Sequence, residues 1–219
     1  MIRRDFLVRA VQEFVQTLAR AVQLRQRLLY REGREEIERV FLKLWGIDSS
    51  QLLESSLTQL IALCEGNKES LGDELVALAN LFAEQGNLYS LENRTVETER
   101  SRALALGLYL ESLPKRFVSL EVVTRIEKLI GQVDASALAP DVLRRLFSYL
   151  ETRGLLARAE NVLFDWVASK SPEAYTEGLA FYDRLALLED KVLERGELPR
   201  SEVEEGRKEL LRLSGPESS

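Results

Sequence analysis

Apolar residues recur every three or four positions along most of the chain, which is the spacing of an amphipathic helix. No stretch shows the strict alternation of apolar and polar residues that indicates a strand. The first run predicts a helix over residues 3–31, and Gly33 predicts a break after it. A second, shorter helix is predicted over 35–45, ending at Gly46. The apolar face of the first helix consists of Phe6, Leu7, Ala10, Val11, Phe14, Val15, Leu18, Ala21, Val22 and Leu29.

Polar residues that can cap a helix N-terminus stand before several of the remaining apolar runs. These caps are Asp48, Ser56, Ser70, Ser119 and Ser201. Pro140 and Pro172 occupy positions that suit the first residue of a helix. The helices predicted from these signals cover residues 57–64, 96–111, 120–130, 140–153, 156–169 and 172–195, together with a long helix that begins near Ser70. A last helix begins at Pro199 and the capping box of Ser201 and ends near Leu213.

A short signature containing an acidic residue, glycine and leucine occurs three times, around Gly86, Gly154 and Gly196. The first two glycines are 68 residues apart, twice the 34-residue period of tetratricopeptide (TPR) helix pairs. Gly86 either ends the long helix that begins near Ser70 or lies within it, and Asn93 is then the alternative stop. The signature therefore predicts helix pairs joined by glycine turns.

Residues 140–172 fit one TPR unit best. Gly154 supplies the turn between the two helices, Ala159 allows their close approach, and Pro172 ends the unit. Phe147 departs from the pattern, which has a small residue at that position. We therefore predict an all-α fold of degenerate, TPR-like antiparallel helix pairs (an α-solenoid), preceded by an N-terminal helical hairpin.

The predicted organisation has four parts and no Gly/Ser-rich linker between them. An amphipathic helical hairpin occupies residues 1–45, and short helices and turns occupy 46–69. The TPR-like array covers 70–213, and a polar tail over 214–219 is predicted to be disordered.

Three segments of the chain carry a family resemblance. They are Asp5-Phe6-Leu7-Val8-Arg9, Leu44-Trp45-Gly46-Ile47-Asp48, and the segment from Leu143 to Glu151 that continues through Gly154 to Phe164. Together these segments resemble an uncharacterised family of bacterial TPR-like proteins. The resemblance implies a helical-repeat fold and a bacterial origin, and it implies no reaction.

The composition excludes many familiar active sites. The chain has no histidine, which excludes serine–histidine catalysis, cysteine–histidine catalysis and HExxH zinc sites. It also has no glycine-rich nucleotide-binding loop of the familiar types. We therefore predict that the protein is not an enzyme and takes no cofactor or metal, although paired carboxylates remain a catalytic alternative. Cys64 is the single cysteine, and no apolar run reaches the roughly 20 residues of a spanning helix. These observations predict a cytoplasmic protein without a membrane partner.

The charge is unevenly distributed. Residues 1–45 hold 10 basic and 6 acidic side chains, whereas the whole chain has a net charge of −6. Arg9, Arg20, Arg27 and Arg31 fall on the polar face of the first predicted helix. They form either a stripe that binds phosphate or an acidic partner, or an ordinary solvated face. The chain is acidic overall and is therefore a poor candidate for binding nucleic acid, so we predict that nucleic acid is a less favoured partner than a protein.

Arg25 interrupts the apolar face of the same helix. Either it pairs with a buried carboxylate, or that face packs against another chain. A long amphipathic helix at a terminus is a common dimerisation element, so we predict a homodimer through this helix. Cys64 is predicted to be a buried thiol, and Trp45 and Trp166 are predicted to be core anchors.

Arg144, Arg145 and Ser148 lie on the first helix of the best-formed repeat. In TPR arrays that helix lines the concave face where peptides bind, so these residues are candidates to receive an acidic segment; exposed arginines without a ligand are the alternative. The leading hypothesis is a protein-interaction module or scaffold that binds a partner helix or peptide on this face. The alternatives are a nucleic-acid-associated regulator using the basic N-terminal helices and, last, an enzyme with a carboxylate site.

Overall fold

A computed structural model describes residues 2–64, 71–113 and 119–214, with side chains described between residues 12 and 213 of these ranges. These residues form α-helices and one 3₁₀ turn, Ala135–Ala137, and contain no strand, which confirms the all-α class. The helices are α1 (Ile2–Gln26), α2 (Tyr30–Trp45), α3 (Ser49–Glu54), α4 (Leu57–Cys64), α5 (Leu71–Leu91), α6 (Thr95–Ser112), α7 (Leu120–Ile130), α8 (Pro140–Thr152), α9 (Leu156–Ala168), α10 (Pro172–Ala186), α11 (Asp190–Arg195) and α12 (Arg200–Ser214).

The chain divides into two compact units. Unit 1 is Met1–Val133 and unit 2 is Asp134–Ser219. The N-terminal hairpin is part of unit 1, where α1 and α2 pack on each other and both pack on α5. Predicted boundaries lie after residues 45 and 69, and the unit boundary at 133 is not among them. The predicted cap Ser70 lies outside the described residues, as does the predicted tail over 214–219 except for Ser214, which is the last residue of α12.

The first helix is shorter than predicted, because it ends at Gln26 rather than near residue 31. Leu28 adopts a left-handed backbone with φ of 61°, and the Leu29 amide donates to the Leu24 carbonyl at 3.0 Å. This is the Schellman pattern of a helix C-terminus. Arg31 consequently lies on α2, so the prediction that Arg9, Arg20, Arg27 and Arg31 share one helix face is wrong.

Gly33 and Gly86 lie within helices instead of ending them. A Cβ on Gly33 would lie 3.2 Å from Leu88 Cδ2, and a Cβ on Gly86 would lie 3.3 Å from Ser101 Cβ. Both glycines therefore allow close helix approach, and the predicted break at Gly33 is wrong. The alternative stop at Asn93 is correct: its φ is 58°, and α5 runs on to Leu91.

The other two signature glycines do stand at helix ends. Gly154 has a φ of 72° and separates α8 from α9. Gly196 follows α11, but the left-handed residue there is Glu197, with φ of 58°. Gly196 is needed for space, because its Cβ would lie 2.6 Å from Leu156 Cγ. Its carbonyl also accepts from the Ala157 amide at 3.0 Å, which satisfies one of the free donors at the start of α9.

Several predicted caps are present. Asp48 accepts from the Gln51 amide at 2.8 Å, and Ser56 and Gln59 bond each other reciprocally as a capping box. Ser119 accepts from the Val122 amide, and Pro140 is the first residue of α8. Local polar chemistry therefore fixes where these helices begin.

The predicted helix over 172–195 is broken between α10 and α11. Arg200 explains the break, because its guanidinium donates to the Ala186 and Leu188 carbonyls at the end of α10. The same guanidinium pairs with Asp190, the first residue of α11, at 2.7 Å. No glycine or proline marks this site, so the sequence pattern carried no breaker signal there.

Aromatic residues fill the core of unit 2. Phe147 lies edge-on to Phe181, with ring centroids 5.2 Å apart, and also packs on Trp166. Ala159 is fully buried, as a close approach of α8 and α9 requires. Phe147, the departure from the TPR pattern, is thus accommodated as the centre of the aromatic core.

Candidate partner-binding groove

An open groove of about 620 Å³ lies between α1, α5 and α7 in unit 1. Each helix contributes residues at three- and four-residue intervals, so each presents a single face to the groove. Its lining comprises Leu18, Val22 and Arg25 of α1, Asn80, Ala83, Glu84 and Asn87 of α5, and Leu120, Glu121, Thr124, Arg125 and Lys128 of α7.

A buried ion pair forms part of the floor. Arg25 Nε donates to Glu84 Oε1 at 2.6 Å, and Asn87 Nδ2 donates to the other oxygen of Glu84 at 3.1 Å. Glu84 is only 4% exposed, so these partners replace the water that its carboxylate would otherwise bind. Of the two alternatives stated for Arg25, pairing with a buried carboxylate is the one that the structure shows.

A second polar network supports the α7 wall. Asn80 Oδ1 accepts from Tyr109 Oη and from Arg125 Nη1, each at 2.5 Å. Arg125 Nη2 pairs with Glu121 at 2.7 Å. Burial raises the pKa of Tyr109 to about 12, against a smaller lowering by Arg125. Tyr109 therefore remains a hydrogen-bond donor throughout the neutral range, and the side chains below the groove are held by direct bonds.

The exposed rim of the groove mixes apolar with polar side chains, and Glu121, Thr124 and Lys128 of α7 are exposed beside the apolar residues. Leu120 is 82% exposed, and Leu18 and Val22 on the opposite helix are partly exposed. Lys128 is exposed and forms no ion pair with the described residues. The arrangement can bind an apolar side chain at the rim and a carboxylate near Lys128, while the floor charges are already paired.

Arg20, Arg27 and Arg31, the predicted N-terminal arginines whose side chains are described, do not line this groove. Arg20 pairs with Glu36 at 3.0 Å, and Arg31 pairs with Glu35 at 2.9 Å. Arg27 is exposed in the turn after α1 and forms no ion pair within the described part of the chain. The side chain of Arg9 lies outside the described residues. Two of the four arginines are thus neutralised by carboxylates on α2.

The predicted residues on α8 belong to unit 2. Arg144 and Ser148 are exposed one turn apart, whereas Arg145 is half-buried and donates to the Asp141 carbonyl at 2.8 Å. The thiol of Cys64 is buried and Trp166 is a core residue, as predicted. Trp45 is half-buried and contacts the rings of Phe14 and Phe41.

Sequence reasoning missed most of the groove. The available signal was a polar stripe, Asn80, Glu84 and Asn87, at helical spacing on an otherwise apolar α5. Within the described ranges, no group of three or more cysteines and carboxylates could hold a metal ion. None of the helices in those ranges has the length and apolar character needed to cross a bilayer.

A family model described as a family of unknown function, DUF6483, matches residues 1–215. The chain belongs to DUF6483. The match covers nearly the whole chain, in agreement with the resemblance to an uncharacterised family. No curated protein and no solved structure was found to match this DUF6483 chain.

Proposed function

We propose that this protein is an interaction module that binds an amphipathic helix or peptide of a partner protein in the groove between α1, α5 and α7. The observation that carries the proposal is the combination of exposed or partly exposed apolar side chains, Leu120, Leu18 and Val22, with lining charges that are paired internally, Arg25 with Glu84 and Arg125 with Glu121. Removing these apolar side chains from water supplies binding free energy. Covering Glu84 removes little further hydration, because its carboxylate is already nearly buried and is bonded by Arg25 and Asn87.

The groove favours a helical ligand. Its two walls are helices, and Leu18 and Val22 lie across the α5 floor from Leu120. A partner helix with apolar residues at positions i, i+3 or i+4, and i+7 presents a matching stripe, as in helix-in-groove recognition. The exposed ammonium of Lys128 favours an acidic residue beside that stripe. The preferred ligand is therefore an amphipathic acidic segment.

A displayed library of helical peptides with randomised apolar and charged positions tests this proposal. Selection on the wild-type chain should enrich apolar residues at helical spacing together with Asp or Glu. Leu120→Glu should abolish binding of the selected peptides, and Lys128→Glu should weaken the acidic ones most. Leu187→Glu is the matched control, because Leu187 is an exposed leucine (88%) in unit 2. Peptides that bind Leu120→Glu as well as wild type would refute the groove as the site.

We also propose that unit 2 contains a TPR-like helix pair. Two helices of similar length, α8 and α9, are joined by the left-handed Gly154, and the next helix begins at Pro172. Exposed Arg144 and Ser148 on α8 are the candidate residues of a second docking face. Peptides that survive Leu120→Glu and lose binding in Arg144→Glu would assign recognition to that face. Both proposals take the protein to be bacterial and cytoplasmic. The family-like segments support a bacterial origin, and the single buried thiol fits a cytoplasmic location.

Nucleic-acid binding through the basic N-terminal helices is the less favoured function. The carboxylates of Glu35 and Glu36 lower the positive potential around Arg31 and Arg20. A carboxylate-dependent reaction is also less favoured, because Glu84 and Glu121 each accept from an arginine. Duplex binding that falls steeply with salt and is lost in Arg20→Glu/Arg27→Glu would support the nucleic-acid alternative instead.

A further inference from the structure

Helix α1 has two faces with different environments. Its inner face, Phe14, Thr17 and Ala21, is buried within unit 1. A second set of residues points away from the unit. This outer seam consists of Gln12, Val15, Ala19, Val22 and Gln26, of which all but the partly exposed Val22 are exposed.

The outer seam has the spacing of a helix–helix interface. Its members are separated by three, four, three and four residues, which places them at the a and d positions of two heptads. The valines occupy one of these positions, and small Ala19 lies at the centre, where a second helix backbone can approach closely. Val15 is 60% exposed.

The seam carries no charge, although 30% of the chain is charged. The three charged residues of α1 between positions 12 and 26 all pair within unit 1: Glu13 with Lys43, Arg20 with Glu36, and Arg25 with Glu84. The flanking positions where heptads normally carry partner-selecting charges hold Gln16 and Gln23 on one side. Neutral amides donate and accept hydrogen bonds equally, so this surface is complementary to itself.

We propose that a second copy of this chain docks on the outer seam through its own α1, forming a two-fold symmetric dimer. Depletion of charge at the centre of a contact is typical of protein interfaces, and identical patches that satisfy each other fit an isologous contact. The Arg25–Glu84 and Lys43–Glu13 pairs hold α1 against unit 1, so the seam is presented without rearrangement. The contact is distinct from the proposed peptide groove, with which it shares only the edge at Val22.

Sedimentation equilibrium of the full chain tests the proposal, because the chain mass is 24.9 kDa. Wild type should sediment with twice this mass. Val15→Glu places a charge in the seam and should weaken self-association by at least roughly 100-fold. Val96→Glu is the matched control, since Val96 is an exposed helical valine (76%) outside the seam. It should remain dimeric, as should Leu120→Glu in the groove.

Cross-linking gives an independent measurement. In a Cys64→Ala background, Ala19→Cys should form a disulfide-linked dimer on mild oxidation, and Val96→Cys should not. Circular dichroism establishes that each variant is folded. A wild-type chain that stays at 24.9 kDa at high micromolar concentration would overturn the proposal. A dimer that persists in both Val15→Glu and Ala19→Glu would overturn it equally.

Discussion

Replacing Arg25 by methionine removes the charged partner of Glu84 while keeping much of the arginine stem's volume. Glu84 is 4% exposed and would retain only Asn87 among its described partners. Breaking a buried ion pair by removing one partner costs about 3–5 kcal/mol. Arg25 is itself 31% exposed, and water reaching that position offsets part of the loss, so we expect a destabilisation of about 2–3 kcal/mol.

Urea unfolding followed by circular dichroism measures this change. With a denaturant slope of about 2 kcal/mol per molar, the midpoint for unit 1 should fall by roughly 1 M or more. Hydrogen exchange followed by mass spectrometry should show lost protection in α5 and unchanged protection in α8 and α9, because these belong to different units. Arg31→Met is the control, since its exposed pair with Glu35 should contribute less than about 1 kcal/mol.

A double-mutant cycle separates the ion pair from packing. Arg25→Met combined with Glu84→Met should be less destabilising than Arg25→Met alone, because the buried charge is then gone as well. The reasoning would be refuted if Arg25→Met cost no more than Arg31→Met, or if the double variant were the sum of its two single changes.

Three further changes test other parts of the fold by the same urea assay. Gly196→Ala should destabilise unit 2 by about 1–3 kcal/mol through its contact with Leu156, whereas Gly131→Ala, with nearest atoms at 3.6 Å, should change stability by under about 1 kcal/mol; equal effects would contradict the packing argument. Arg100→Met should lower the free energy of unfolding by about 1–3 kcal/mol, because the Leu53 and Ser55 carbonyls at the end of α3 lose their hydrogen-bond donor. Arg100→Lys should recover only part of this loss, because a lysine ammonium cannot reach both carbonyl oxygens as the planar guanidinium does. Burial raises the pKa of Glu160 above that of an unfolded glutamate, so the native state binds the proton more tightly and unit 2 should lose stability as pH rises through the native pKa. Glu160→Gln keeps an acceptor for Tyr182 and should reduce this loss of stability. A pH profile that is the same in Glu160→Gln and wild type would contradict the assignment to Glu160.

Signals that act within a few residues could be read from the sequence. Asp48, Ser56, Ser119 and Pro140 mark helix starts because capping depends on local donors and acceptors. The buried partner of Arg25 could be anticipated as a type of residue, but Glu84 itself could not, since 59 positions separate them. The groove requires α7 to lie beside α1 and α5, and no local pattern encodes that placement.

The break predicted at Gly33 is wrong for a physical reason. A glycine ends a helix when its backbone must turn left-handed, as at Gly154, but it also lies within a helix when a neighbour approaches too closely for a side chain. Gly33 and Gly86 belong to the second class. Sequence alone does not separate the two, because the deciding atoms, on Leu88 and Ser101, come from other helices.

Leucine pairs five residues apart mark the helix ends more consistently than glycine does. Residues i and i+5 of a continuous helix lie about 140° apart, so a helix that buries one stripe cannot readily bury both. A Schellman end reverses the chain and brings the second residue back over the first. At Leu24–Leu29, Leu150–Leu155 and Leu193–Leu198, the amide of the second leucine donates to the carbonyl of the first at 3.0 Å. In the described part of the chain, the other leucine pairs with this spacing also span helix boundaries. Leu52–Leu57 and Leu108–Leu113 span the C-terminal ends of α3 and α6, whereas Leu138–Leu143 and Leu188–Leu193 span the starts of α8 and α11. The helix end at Leu24–Leu29 is the one that the break predicted at Gly33 misplaced. Leu29 is 40% exposed there, so the backbone bond to Leu24, which the left-handed Leu28 allows, closes this helix end, and burial of the second leucine does not.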